Sequence, residues 1–280
     1  MPEPGRLVVC ATPIGNLGDV TLRVLDALRD ADTVAAEDTR VTRKLLARYE
    51  IETRLERCDE HTVERQTPIL IERLRGGEVI ALVSDAGTPG VSDPGARLVD
   101  ACIDAGVEVD VLPGASAILA ALVASGLPTH AFYFGGFLPR KAGERLRALS
   151  AIDALDATLI FYESPNRAAT TLGVLAEALP GRRAALAREL TKLHEEVVRG
   201  TIEDVADDIG SRERLRGEVV LLVGPPLARK RELADPEDVR AALDAAIGTG
   251  VTRSDAVKRV AKQLKLPRSE VYDIAHRATH

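Results

Sequence analysis

Aromatic side chains are scarce in this chain of 280 residues, which contains four Phe, four Tyr and no Trp. A protein that holds single-stranded nucleic acid chiefly by stacking bases on aromatic rings is therefore disfavoured. The 37 Lys and Arg residues stand against 43 Asp and Glu, which leaves a net charge of −6. This balance excludes an overwhelmingly basic nucleic-acid binder but leaves room for local basic patches.

Cysteine is also sparse, because Cys10, Cys58 and Cys102 lie far apart and form no C-x-x-C pair. We therefore expect neither a disulfide framework nor a cysteine zinc site, and we expect a reducing compartment. The first residues lack the basic and apolar regions of a signal peptide. The longest apolar stretch, near 117–127, is interrupted by a Ser-Gly pair and is too short to cross a bilayer. These features predict a soluble, cytoplasmic protein.

Strand and helix patterns alternate over the first part of the chain. Residues 7–11 and 79–83 are continuous apolar runs, typical of strands buried on both faces, and residues 21–31 carry leucines at helical spacing. This alternation predicts βαβ units and a mostly parallel sheet. Beyond Pro128 two predicted strands lie too close together for a helix to connect them, which indicates a mixed sheet.

The fold class predicted is therefore α/β, with two α/β domains and a small helical C-terminal region. We place the N-terminal α/β domain at 1–126 and the second α/β domain at 127–226. The remaining residues, 227–280, form a helical tail that follows a linker at 227–233.

The tail differs in charge from the rest of the chain. It contains 11 Lys and Arg against 8 Asp and Glu, a net charge of +3, whereas the preceding residues carry −9. Three short helices are predicted near 241–247, 254–264 and 268–278. Basic clusters that could touch the phosphates of a nucleic acid occur in this tail and elsewhere. They are Lys258/Arg259/Lys262/Lys265, Arg140/Lys141/Arg145/Arg147, Arg182/Arg183, Arg212/Arg214/Arg216 and Arg229/Lys230/Arg231.

Four turns rich in small residues follow predicted strands, at 12–16, 84–95, 113–117 and 135–141. In open α/β sheets ligands bind where the carboxyl ends of strands diverge, and glycine lets backbone approach a ligand closely. Neither G-x-G-x-x-G after the first strand nor G-x-x-x-x-G-K-[ST] is present, which counts against dinucleotide binding and P-loop hydrolysis. The five histidines lack metal-ligand spacing and no G-x-S-x-G occurs. Backbone-lined pockets without a cationic clamp suit a neutral or zwitterionic cofactor, and no metal is expected.

Four segments together resemble one family. They read A-T-P-I-G-N-L-G-D at 11–19, A-E-D-T-R at 36–40, S-D-A-G-T-P-G-V-S-D-P-G at 84–95 and E-L-T-K at 189–192. They are similar to the bacterial small-subunit ribosomal RNA methyltransferases of the tetrapyrrole methylase superfamily. Thr62 and Asn166 stand where the family pattern has Asn and His, so no role is carried over to those side chains.

The resemblance implies methylation, with S-adenosylmethionine as donor, of a ribose 2′-oxygen on a cytidine in the decoding region of 16S rRNA. It implies a cofactor folded into the cleft between two α/β domains, a homodimer, and a substrate within the assembled or assembling small ribosomal subunit. Carried over by motif, the residues that line the cofactor are Pro13, Ile14, Ala86, Gly87, Thr88, Val91, Ser116, Ala117, Glu163 and Leu190.

Methyl transfer to an alcohol is an in-line displacement in which the hydroxyl must lose its proton, so a base or a cation is needed nearby. The candidates are the pair Glu189 and Lys192, the pair Asp38 and Arg40, and the loop acids at 85 and 93. Lys192 could assist deprotonation electrostatically. Asp38 and Asp93 have the alternative of capping helix starts. The identity of the base is left open.

Two other functions stay open at this point. The first is another methyltransferase of the superfamily that acts on a tetrapyrrole or a protein side chain. The second is a nucleic-acid-binding regulator that uses 253–278 to bind and the α/β part to sense a ligand.

Overall fold

The computed structural model describes residues 5–226, 236–264 and 266–276. Residues 1–225 form one compact unit and residues 226–280 a second. The first unit contains two five-stranded sheets that follow each other along the chain.

The first sheet is parallel throughout, in the order β3-β2-β4-β1-β5. Its strands are β1 (Arg6–Cys10), β2 (Thr33–Ala36), β3 (Leu55–Arg57), β4 (Val79–Val83) and β5 (Glu108–Leu112). Parallel neighbours need crossover connections, and helices supply them here. These are α1 (Leu22–Asp30), α2 (Thr39–Arg48), α3 (Val63–Arg75) and α4 (Gly95–Asp104), with α5 (Ala117–Ser125) after β5.

Both faces of the first sheet are covered, which explains the continuous apolar runs in its strands. Val8 and Cys10 of β1 pack in one core with α1 and α2, whereas Leu7 and Val9 pack in another with α3 and α4. Helix α1 begins after Thr21, whose hydroxyl accepts a hydrogen bond from the Val24 N–H at 3.2 Å.

The second sheet is mixed, in the order β6-β7-β10-β8-β9, as the close strand spacing predicts. Its strands are β6 (Phe132–Phe137), β7 (Thr158–Glu163), β8 (Arg183–Arg188), β9 (Glu196–Thr201) and β10 (Val219–Val223). Only β6 and β7 pair in parallel, and the other neighbours are antiparallel. Helices α6 (Ala142–Ser150), α7 (Pro165–Ala178) and α8 (Ile202–Ser211) cover one face.

Helix α5 covers the other face of the second sheet. Its Ala121 and Leu122 pack with Ile160, Ala185 and Leu222 of that sheet. A division at residue 126 therefore separates α5 from the strands that it covers. The domain boundaries predicted from the sequence stay a prediction.

The second unit is a small bundle of three helices, α9 (Pro236–Gly248), α10 (Arg253–Gln263) and α11 (Arg268–His276). Val239, Val257, Val260 and Val271 form its core. The predicted linker at 227–233, the basic cluster at 229–231, Lys265 and the last two residues of the third predicted helix lie outside the described residues. Over the described ranges, every helix is too short or too polar to cross a bilayer.

Candidate functional site

Two adjoining cavities lie between loops of the two sheets. The first has a volume of about 350 Å³ and the second about 420 Å³. Ile14, Ala86 and Glu218 line both cavities, so the two spaces meet at these residues. A ligand in one cavity would therefore adjoin a ligand in the other.

The first cavity is walled on one side by the turns that follow β1, β4 and β5. Ile14, Ala86 and Ala117 come from these turns, which meet because parallel strands end at one edge of the sheet. The turn after β4 is pinned to the turn after β1, since the Thr12 N–H donates to the Gly87 carbonyl at 2.8 Å and the Gly87 N–H donates back at 3.0 Å. Gly87 has φ +80°, a conformation that favours glycine.

Asp93 closes the same long loop on itself. Its carboxylate accepts hydrogen bonds from the Gly90 N–H at 2.9 Å and the Gly95 N–H at 2.7 Å, where α4 begins. Asp93 thus binds the first residue of α4, although Pro94 and not Asp93 occupies the N-cap position of that helix. The Asp93 carboxylate is therefore engaged in hydrogen bonds within the loop.

The second sheet supplies the opposite wall of the first cavity. Strand β10 runs antiparallel to β7 and β8, so Val219 at its start pairs with Glu163 and Arg188 at their ends. Residues that precede β10 therefore enter the same site as residues that follow β8. Phe137 and Tyr162 add an aromatic corner, with their ring centroids 5.7 Å apart.

Glu163 is a buried carboxylate in the first cavity wall, 3% exposed. One oxygen accepts the Ser164 N–H at 2.8 Å and the other accepts the Thr171 hydroxyl at 2.7 Å, with Arg167 at 3.3 Å. These partners compensate the cost of burying a charge.

Lys192, Glu189 and Glu218 form an ionic cluster. The Lys192 Nζ donates to Glu189 Oε1 at 2.8 Å and to Glu218 Oε2 at 3.2 Å, and the Glu218 N–H donates to Glu189 Oε1 at 3.1 Å. The hydrogen bond from Lys192, opposed by burial, lowers the pKa of Glu189. Burial disfavours the charged amine, but the two carboxylates outweigh it and raise the pKa of Lys192. A fixed ammonium group thus lines the second cavity.

The backbone around this cluster leaves no room for extra side chains. A Cβ on Gly15 would lie 2.5 Å from Lys192 Cγ, and a Cβ on Gly217 would lie 2.3 Å from Glu189 Cδ. Glu189 and Thr191 have φ of +52° and +66°, which non-glycine residues adopt rarely. Such strain marks functional segments more often than ordinary turns.

Asp38 and Arg40 lie beside the cavities but line neither of them. Asp38 caps α2 by accepting the Arg40 N–H at 2.8 Å, and it pairs with the Arg40 guanidinium, which holds the pKa of Asp38 well below its usual range. Asp85, which does line the second cavity, accepts the Asp38 N–H at 2.9 Å. Burial, followed by the charge of Asp38, raises the pKa of Asp85.

The predicted cofactor residues divide into three groups. Ile14, Ala86, Ala117, Glu163 and Leu190 come together around the first cavity, and Pro13 lines the second. The others lie in the adjoining loops without lining either cavity, namely Gly87, Thr88, Val91 and Ser116. The Ser116 hydroxyl accepts the Leu119 N–H and so caps α5. The roles of all ten stay predictions.

Sequence reasoning missed Glu218, Gly217, Tyr162 and Phe137. Phe137 belongs to the glycine-rich turn at 135–141 and so carried a signal. Glu218 carried none, because only the antiparallel placement of β10 brings it to the site.

Metal chemistry finds no support in the residues that the structure describes. No three His, Cys, Asp or Glu among them are grouped to hold an ion. The three cysteines are buried, and burial raises the pKa of Cys10 to about 12 and of Cys102 to about 11.

Comparison with known proteins decides the family. The tetrapyrrole (corrin/porphyrin) methylases match residues 6–206, most of the chain. This chain belongs to that family. The family resemblance predicted from the four sequence segments is confirmed. The predicted α/β fold is confirmed as well, because it is the fold of this methylase family, followed here by the helices α9, α10 and α11.

Two relatives of this methylase carry the same name, ribosomal RNA small subunit methyltransferase I. The one from Mesorhizobium japonicum is 51% identical over 94% of this chain and 90% of its own length. The one from Bacillus subtilis is 43% identical over 98% of this chain and 95% of its own.

Solved structures show the same fold. The methyltransferase CobJ superposes with a TM-score of 0.62 at 26% identity, over 79% of this chain and 94% of that one. A uroporphyrin-III C-methyltransferase from Thermus thermophilus, complexed with S-adenyl homocysteine, superposes at 0.57 and 22% identity, over 79% of this chain and 97% of its own.

Proposed function

We propose that this methylase transfers a methyl group from S-adenosylmethionine to the ribose 2′-oxygen of a cytidine in 16S rRNA. The observation that carries the proposal is the pair of adjoining cavities that share Ile14, Ala86 and Glu218. Transfer needs a donor and an acceptor held side by side, and two cavities with a common wall provide such an arrangement.

The first cavity suits the cofactor. Its volume lies within the range of small-molecule sites, its walls are mostly small or apolar, and carboxylates of Glu163 and Glu218 lie beside it. A zwitterion with a positive sulfonium fits such a site better than a polyphosphate does, because its walls contain no Lys or Arg. When bound, S-adenosylmethionine supplies an electrophilic methyl group on sulfur.

The second cavity suits the acceptor ribose. Lys192 and Asp85 line it from the two sheets, and the turn at Pro13–Gly15 forms its floor. The Lys192 ammonium is held by two carboxylates and so stays charged at neutral pH. A fixed positive charge stabilises the developing alkoxide as the hydroxyl loses its proton and its oxygen attacks the methyl carbon.

The raised pKa of Asp85 makes this carboxylate a better proton acceptor than an ordinary aspartate. It lines the acceptor cavity, unlike Asp38. We assign Asp85 the role of base and Lys192 that of electrostatic stabiliser, with Glu189 holding Lys192 in place.

The choice of RNA rests on the relatives, which are named as small-subunit ribosomal RNA methyltransferases. The cytidine and its 2′-oxygen are what the family resemblance of the motifs at 36–40 and 84–95 implies. On the same resemblance we propose the cytoplasm as the protein's location and the assembled or assembling small subunit as its partner.

The homodimer is part of the same proposal. Leu119 and Val123, four residues apart on α5, are 53% and 75% exposed, and Phe132 on the edge strand β6 is 45% exposed. A second copy of the chain would remove these side chains from water.

The test is methyl transfer in vitro. Purified protein, labelled S-adenosylmethionine and small subunits from cells that lack the enzyme should give one labelled 16S cytidine, resistant to alkaline cleavage on its 3′ side. Label on a tetrapyrrole or a protein, or on a base, would overturn the proposal.

A further inference from the structure

Helix α2 carries a basic face. Its ten residues, Thr39–Arg48, contain four cations and no acid. Arg40, Arg43, Lys44 and Arg48 lie at positions i, i+3, i+4 and i+8 and therefore share one side of the helix, and all four are exposed. The other exposed residues of α2 are Val41 and Ala47. This concentration of charge stands out in a chain whose net charge is −6.

Three of the four cations of α2 are available for a ligand, whereas Arg40 is paired with Asp38 at 2.6 Å. Within the described ranges, Arg43 and Lys44 form no ion pair, and Arg48 lies over the Tyr49 ring at 5.4 Å. Two members of the basic clusters singled out in the sequence are engaged within the protein instead. Arg145 is buried and donates to the Pro139 carbonyl at 3.1 Å, and Arg212 is paired with Glu196 at 2.9 Å.

The basic face adjoins the acceptor cavity. Val41 and Lys44 of α2 line that cavity together with the turn after β1. The far end of the helix is fixed to the same turn, because the Tyr49 hydroxyl donates to the Leu17 carbonyl at 2.7 Å. The exposed cations thus form a rigid continuation of the cavity wall.

We infer that the basic face of α2 binds phosphate groups of the RNA strand that carries the target ribose. The inference rests on the proposed function and adds to it the surface that recognises the substrate. Arginine binds phosphate through paired N–H groups and lysine as a point charge. A helix of ten residues is about 15 Å long, enough to contact more than one phosphate.

The experiment compares two charge reversals. One variant, Arg43→Glu with Lys44→Glu, reverses the α2 face. The control, Arg65→Glu with Arg23→Glu, makes the same change of charge at exposed helical arginines of α3 and α1, which have no ion pair within the described residues and line neither cavity. For both, methylation of small subunits is measured against salt, and S-adenosylmethionine affinity is measured by calorimetry.

The α2 variant should raise KM for small subunits by about 10- to 100-fold and reduce the slope of log affinity against log salt by about 1 to 2. Its affinity for S-adenosylmethionine should stay within about twofold of wild type, which shows that it folds. The control should stay within about threefold of wild type in KM. An α2 variant that behaves like the control would overturn the inference. Wild type that binds cofactor but methylates no RNA would instead overturn the proposed function, and this inference with it.

Discussion

The two sheets contribute different chemistry to one site. From the parallel sheet the first cavity receives Ile14, Ala86 and Ala117, none of which can ionise. From the mixed sheet it receives Tyr162, Glu163 and Glu218. Within the described residues, every ionisable group that lines the first cavity thus comes from the second sheet.

Topology accounts for this difference. In the first sheet all carboxyl ends lie at one edge, so long turns rich in glycine and proline can converge there and present backbone. In the second sheet the antiparallel β10 brings its start beside the ends of β7 and β8, so short segments with charged side chains meet. For the first cavity, the comparison assigns shape to the first sheet and ionisable groups to the second.

The largest effect on methylation is expected from removal of the Lys192 ammonium group. Lys192→Ala should lower kcat for RNA methylation by about 100- to 1000-fold, because the developing alkoxide loses its stabilising cation. S-adenosylmethionine should still bind, since Lys192 lines only the acceptor cavity. Single-turnover assays and calorimetry check the two parts.

Arg29→Ala is the matched control, because Arg29 pairs with Asp26 at i,i+3 as Lys192 pairs with Glu189. Its turnover should be that of wild type. Normal turnover in Lys192→Ala would show that the cation supplied by the second sheet does not stabilise the alkoxide.

The second largest effect is expected at Gly217, whose backbone lies against Glu189, the carboxylate that holds Lys192 in place. Gly217→Ala should destabilise by about 1–2 kcal/mol and lower methylation about 10-fold, because Gly217 has φ +88° and its new Cβ would displace Glu189. Urea unfolding and initial rates measure both.

Gly106→Ala is the control that separates the effect of a positive φ from the effect of displacing Glu189. Gly106 has φ +69° but nothing within 4 Å of an added Cβ, so it should lose similar stability and no activity. Equal activity loss in both variants would mean that displacement of Glu189 does not matter.

A third effect tests the buried carboxylate of the first cavity. Thr171→Val removes the hydroxyl that donates to Glu163 at 2.7 Å and should cost about 1–3 kcal/mol of unfolding free energy. Thr67→Val, which removes a bond to the neutral Val63 carbonyl, should cost less. Equal costs in urea titrations would show that Glu163 does not depend on Thr171.

The smallest effect is a pH dependence. Because the folded pKa of Glu189 lies below its unfolded value, near 4.3, its pairing stabilises the protein above that pH and is lost as pH falls through the folded pKa. Wild type should therefore lose more stability than Glu189→Gln between pH 6 and pH 3. Parallel losses in urea titrations at both pH values would contradict the pairing.

Much of this architecture could be predicted from the sequence. The strands at 7–11 and 79–83 are buried on both faces of the sheet. Such burial requires a continuous run of apolar residues, which can be recognised in the sequence. The glycine-rich turns predicted one wall of the site for a similar reason, since backbone that approaches a ligand needs small residues. β3, three residues long, left no such pattern.

The second wall could be predicted only in part. Glu189 and Lys192 were found because they follow a strand, but Glu218 precedes one and enters the site through strand order alone. Asp38 was a candidate by motif, yet its carboxylate caps α2 and pairs with Arg40, interactions that depend on local geometry. The sequence analysis did not single out the basic face of α2, because its cations share one side only once the bounds of the helix are known.

The most direct test of the central claim is a calorimetric titration of S-adenosylmethionine into wild type and Ala117→Trp. Ala117 lines the first cavity only, so an indole there would fill space that the cofactor needs. Ala47→Trp on the exposed side of α2 is the control. We predict one site per chain in wild type and in Ala47→Trp, and no binding in a folded Ala117→Trp. Undiminished binding in Ala117→Trp, or no binding in wild type, would contradict a cofactor held between the two sheets.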